Sequence, residues 1–150
     1  MTLNDMGRIV FDDFHESFSI RKELFLGSFV LMPNHLHAIV ILDKTNCTIK
    51  DETPQSYYPY GCVNVGISSQ FQRKPKSISS FVAGFKSAAV NHIDDWIDVN
   101  DSTIRKFNKN NPLWQANYHD HIIRNETEYL KISNYIVENP LNWDVDVLKR

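Results

Sequence analysis

The sequence predicts an α+β fold, on two observations. Residues 24–32 and 38–42 are apolar runs rich in β-branched and aromatic side chains, split by Pro33-Asn34, which reads as two strands joined by a tight turn. Three other stretches carry apolar residues at steps of three and four, the period of amphipathic helices. Composition agrees with a folded single domain: 150 residues, 42% hydrophobic and 23% charged, are enough to bury a real core. No apolar run approaches the roughly 18 residues of a membrane span, and no charged-then-apolar leader pattern opens the chain. Cys47 and Cys62 form neither a Cys-x-x-Cys motif nor a disulfide framework, which fits the reducing cytoplasm. A net charge of -2 argues against a protein that coats nucleic acid nonspecifically, although it leaves room for a local basic groove.

In chain order, Leu3, Met6, Val10 and Phe14 set a first helix over about 3–18, with Thr2 as its cap and Asp5 three places on. His15 falls near its polar side and reads as a solvated surface histidine. The hairpin follows. Its alternation puts His35, His37, Ile39 and Ile41 on one face and Leu36, Ala38, Val40 and Leu42 on the other. From 43 to 77 the chain turns polar and aperiodic, a long connecting excursion. It ends in Arg73-Lys74-Pro75-Lys76, the densest positive run, with Tyr57, Tyr58, Tyr60 and Phe71 nearby. Cations beside flat rings suit single-stranded nucleic acid, though a loop of this kind taken alone is ordinarily just solvated.

A second helix spans 77–93 on Ile78, Phe81, Val82, Phe85, Ala89 and Ile93, capped by Ser77 or Ser79. Lys86 and Ser87 fall on its polar side, and His92 reads as a residue of the helix end. Residues 94–111 are polar and read as a loop, with a short turn or strand near 104–107. Residues 118–123 alternate as a strand would, with His119 and His121 on one side. Asn125 followed by Glu128 has the form of a capping box and opens a third helix carrying Tyr129, Ile132, Ile136 and Val137, which Pro140 ends.

Two imidazoles side by side on a strand make half of a metal site. Two pairs have that spacing, His35 with His37 and His119 with His121, and spacing alone favours neither. Tyr135 and Asn139 are four residues apart, one helical turn. A tyrosine on a helix is more often a core or boundary residue than a nucleophile. A phenol, which ionises near pH 10, attacks well at neutral pH only where a divalent cation polarises the electrophile. Two histidines and an amide oxygen would give such a cation three protein ligands.

Pro33-Asn34-His35-Leu36-His37, Phe85-Lys86-Ser87-Ala88, Leu113-Trp114-Gln115 with Tyr118-His119-Asp120-His121-Ile122-Ile123-Arg124, and Tyr135-Ile136-Val137-Glu138-Asn139-Pro140 occur here in one order. In that order they resemble the single-tyrosine HUH transposases, and most of all the REP-associated tyrosine transposases. The resemblance covers the chain apart from the excursion. It implies a ferredoxin-like antiparallel sheet with helices on one face. It also implies that His35, His37 and Asn139 hold Mg²⁺ or Mn²⁺ and that Tyr135 attacks a single-stranded DNA phosphate, leaving a 5′-phosphotyrosine and a free 3′-hydroxyl. The partner it implies is hairpin DNA from palindromic repeats, with Lys86, Arg73, Lys74, Lys76 and Arg124 as contacts to its backbone; Arg124 serves equally as a partner for Asp120. His119 and His121 then brace the nucleophile's helix.

The family's first strand, upstream of the first helix, has no counterpart here, because Met1 opens almost directly on the helix. The sheet is therefore expected to lack that strand, and the edge so exposed invites a homodimer. The expected activity is a metal-dependent transesterase of the transposase type. Two other readings stand beside it: a noncatalytic, truncated or decayed relative that binds hairpin DNA, and a metallohydrolase built on His119 and His121.

Overall fold

The computed structural model describes residues 2–43 and 77–145. The polar excursion, and with it Arg73, Lys74 and Lys76, lies outside the described residues. The order of elements is α1 (Asp5–Ser19), β1 (Leu24–Leu31), β2 (Leu36–Leu42), α2 (Ile78–Asn100), α3 (Glu126–Glu138) and a 3-10 helix (Asn139–Val145). The α+β class is borne out: helices pack on an antiparallel sheet, which among the described residues has two strands. No helix among the described residues is long and apolar enough to cross a membrane.

The helix caps follow local chemistry. Asn4, not Thr2, caps α1, its side-chain oxygen accepting from the Gly7 N–H at 2.8 Å. Ser77 caps α2 in a reciprocal box with Ser80. α2 runs seven residues past its expected end, through Asp94 and Asp95 to Asn100. The reason is a stripe at steps of four, Phe81, Phe85, Ala89, Ile93 and Ile97, each at most 5% exposed. The acidic residues that suggest a loop simply occupy the solvent side of the same helix.

β1 and β2 pair from Leu31↔Leu36 to Leu24↔Leu42, with a bulge between Leu26 and Phe29. Two residues, Gly27 and Ser28, there oppose one, Ile39. Gly27 eases the approach: a Cβ on it would lie 3.1 Å from the Cβ of Ile39, a tight contact. The bulge also shifts the alternation of β1 by one residue. Leu24 and Leu26 before it, and Phe29 and Leu31 after it, thereby join Leu36, Ala38 and Val40 in one apolar cluster with α1 and α2. Phe14 is its hub, stacked on Phe29 at 4.8 Å and edge-on to Phe85 at 5.0 Å. His15 belongs here too, against Phe11 and Phe29 at 4.1 and 5.2 Å, and is not the solvated residue its position suggests. Outside the helix stripe, His92 Nδ1 ties α2 to Asp13 of α1 at 2.7 Å.

α1 and α2 supply the helix-covered face, and α3 reaches the face that carries the histidines, where Met32, Ile39 and Ile136 are buried apart from the main cluster. The strand expected at 118–123 does not form. The polar groups of this region go elsewhere: Lys86 Nζ donates to the carbonyls of Gln115 and Asn117 at 2.8 and 3.2 Å, and Trp114 Nε1 donates to the Lys86 carbonyl. Tyr118 Oη and Ser79 Oγ are hydrogen-bonded at 2.9 Å. Residues 114–118 are thereby tied to α2 as a strap, and among the described residues no strand pairs with 118–123.

Candidate active site

The sharp Pro33-Asn34 turn, closed by the Met32 N–H on the His35 carbonyl at 2.8 Å, delivers His35 and His37 to the start of β2. Their rings lie 4.8 Å apart. Asn34 has a part that the sequence reading missed: its Oδ1 accepts from His35 Nδ1 at 2.7 Å. An amide oxygen only accepts, so His35 carries its proton on Nδ1 and its lone pair on Nε2, the tautomer a metal ligand needs. The Nε2 atoms of both histidines are buried.

α3 supplies the other half. Tyr135 is 52% exposed, and its ring stands edge-on to His37 at 5.4 Å. One turn on, Asn139 is 3% exposed, the sole buried polar residue among those described, and its Oδ1 is buried without a hydrogen bond. A buried amide oxygen left so is costly and calls for an explanation such as an ion. Trp143, four residues beyond Asn139, is half-buried with its ring 6.2 Å from His35. Sequence reasoning passed over Trp143, although the step of four from Tyr135 through Asn139 marks it.

α3 is held at three places. Ile136 is buried beneath it, Ser133 Oγ bonds Ser28 Oγ of the bulge at 2.5 Å, and the first turn is tied to the segment before it. There Asn125 Oδ1 accepts from the Glu128 N–H at 2.8 Å, as the capping motif predicts. Glu128, however, does not close the box on Asn125. Its carboxylate takes the Arg124 N–H at 3.0 Å and His121 Nε2 at 2.7 Å. Those bonds, the Arg124 amide first and His121 second, hold the Glu128 carboxyl below its ordinary range.

His121 thus braces the helix that carries Tyr135, its Nε2 engaged by Glu128. Arg124 lies at the far end of α3, on the order of 14 Å along the axis from Tyr135. Lys86 gives its ammonium to the strap, and partial burial lowers its pKa. Among the described residues, no three histidine, cysteine, aspartate or glutamate side chains form a metal-binding group. Asn139 lies midway in sequence between Tyr135 and Trp143, whose rings stand near His37 and His35, which makes its buried amide oxygen the candidate for a third donor. An imidazole pair with one hard oxygen suits a divalent cation that keeps positions open for water or phosphate.

No protein-family model matches the sequence, and no solved structure matches the chain. An uncharacterized protein of Haemophilus influenzae is 32% identical over 151 residues, which span 99% of this chain and 72% of that protein. A likeness of that extent is inherited rather than accidental, and the chain belongs to one family with this uncharacterized Haemophilus influenzae protein.

Proposed function

We propose that the protein is a metal-dependent, single-stranded DNA transesterase of the transposase type, working on hairpin DNA in the cytoplasm. The observation that carries the reading is the half-exposed Tyr135 standing against His37, itself beside His35, with the buried, unbonded Asn139 oxygen one helical turn from Tyr135. The four-part motif likeness to REP-associated tyrosine transposases supports it. His35, His37 and Asn139 would hold Mg²⁺ or Mn²⁺, which when bound would supply charge neutralisation at the phosphate.

The residues of the chain do the rest. Tyr135 Oη forms a bond to phosphorus as the bond to the 3′-oxygen breaks. The phenol gives up one proton and the departing oxygen takes one up, so charge is conserved. The products are a 5′-phosphotyrosine and a free 3′-hydroxyl, and the reverse attack rejoins the strands without nucleotide hydrolysis. Such exchange asks mainly for in-line positioning. The Asn34 bond that fixes the His35 tautomer and the three anchors of α3 supply that rigidity.

The test is covalent trapping. With Mn²⁺ and an end-labelled hairpin carrying single-stranded flanks, the wild type is expected to yield a labelled protein adduct that Tyr135→Phe abolishes. Because Tyr135 is 52% exposed, that variant should keep its stability within about 0.5 kcal/mol. An adduct that survives in Tyr135→Phe refutes the assignment. Binding with no adduct points instead to a noncatalytic hairpin-binding relative.

A further inference from the structure

We propose that Trp143 is the stacking platform for the nucleobase next to the phosphate that Tyr135 attacks. The inference rests on the DNA reading above and adds a binding subsite to it. A single strand crossing this site must place both its phosphate and the bases on either side of it. Phosphates are met by charge, whereas splayed bases are met by flat rings, which accept any base because every base has a π-face. The rings that line the chemistry here, His35, His37 and Tyr135, are committed to it.

Trp143 is the next ring along. It lies 6.2 Å from His35, tilted 32° to it, beside the ring pair of the site. It is half-buried, so the indole has solvent-facing area and a supported body, the compromise usual for a stacking ring. Its placement is also tied to the site. The 3-10 helix that carries it begins at Asn139, so one short rigid segment sets both the amide oxygen and the indole. A ring on a separate loop would not keep register with the reacting atoms.

The experiment measures equilibrium binding in EDTA, with Tyr135→Phe as background so that no bond forms. The probes are a 12-nucleotide oligothymidine and the same sugar-phosphate backbone without bases. The background protein is expected to prefer the base-bearing strand by about 5- to 150-fold. Trp143→Leu, which keeps apolar bulk but has no ring, should lose most of that preference while binding the baseless strand unchanged. Trp143→Phe should retain most of it.

Equal weakening toward both strands in Trp143→Leu, or an unchanged preference, overturns the stacking role. So does a background protein that binds both strands equally, and in that case the DNA reading survives. A background protein that binds neither strand also overturns the stacking role, and the hairpin trapping assay then decides the DNA reading separately. Circular dichroism of each variant establishes that the comparison is between folded proteins.

Discussion

Asn139→Leu separates a metal ligand from a packing residue by the sign of its effect. Asn139 is 3% exposed and its Oδ1 is buried without a hydrogen bond. Leaving such an oxygen unsatisfied costs on the order of 1–3 kcal/mol, and leucine replaces it with apolar bulk of similar length. Without metal, the variant should therefore be between unchanged and about 2 kcal/mol more stable, a Tm rise of up to roughly 8 °C for a chain of this size. With Mn²⁺ the order reverses. A ligand at about 100 times its dissociation constant stabilises the folded state by about 2.7 kcal/mol, or roughly 5–10 °C. The wild type should show that rise and Asn139→Leu should not. Asn139→Asp completes the set: it keeps an oxygen donor, buries a charge, and should be less stable without metal yet gain more from Mn²⁺. Thermal unfolding followed by circular dichroism, with and without Mn²⁺, reads all three. An Asn139→Leu protein that loses more than about 1 kcal/mol without metal, or that keeps the full Mn²⁺ shift, would falsify the ligand assignment.

Three further outcomes follow from the packing and the caps. Glu128 has a folded-state pKa below its ordinary value of 4.5, so its anchoring of α3 is fully present above that pH and is lost as pH falls through the lower, folded value. Amide exchange in the first turn of α3 should accelerate over that acid window in the wild type and show no such step in Glu128→Gln. Lys86→Met should free the strap at 115–117 from α2 and expose it to limited proteolysis; if only DNA affinity falls, the ammonium works as a phosphate contact. Phe14→Ala, which removes a ring 3% exposed at the centre of the core, should cost about 3–5 kcal/mol in denaturant unfolding, and a loss below 1 kcal/mol would mean the core is organised around other residues.

The elements legible in the sequence were those whose signal is local. Asn125 with Glu128 announced α3, and two β-branched runs around Pro33-Asn34 announced the hairpin, because caps and turns are decided by neighbours along the chain. What escaped depends on contacts between distant residues. The strand pattern at 118–123 is real in the letters, but a strand exists only where a partner offers its ladder, and among the described residues none pairs with it. The extension of α2 was hidden by Asp94 and Asp95, although Ile97 continues the buried stripe. At the site, His35, His37, Tyr135 and Asn139 could be named from motif likeness, and the structure brings His37 to Tyr135 across nearly a hundred residues. The Asn34 bond to the His35 ring depends on side-chain geometry that no spacing rule encodes, whereas the step of four from Tyr135 through Asn139 does mark Trp143.

The position of the site in the fold bears on how it is stabilised. The large aromatic cluster lies between the hairpin and the pair α1 and α2, whereas α3 sits over a thin second layer of Met32, Ile39 and Ile136. That layer includes Asn139, whose unsatisfied oxygen works against docking of the helix that bears Tyr135. Apolar burial there is small, so the Ser28–Ser133 bond and the Glu128 tie carry a large share of the anchoring. A cation held by His35, His37 and Asn139 would bridge β2 to the end of α3 and give the buried Asn139 oxygen a partner. Binding and docking are then the same free energy. It follows that Tyr135 would be most firmly placed with such a cation bound. The main core needs no change for this, because none of these residues belongs to it.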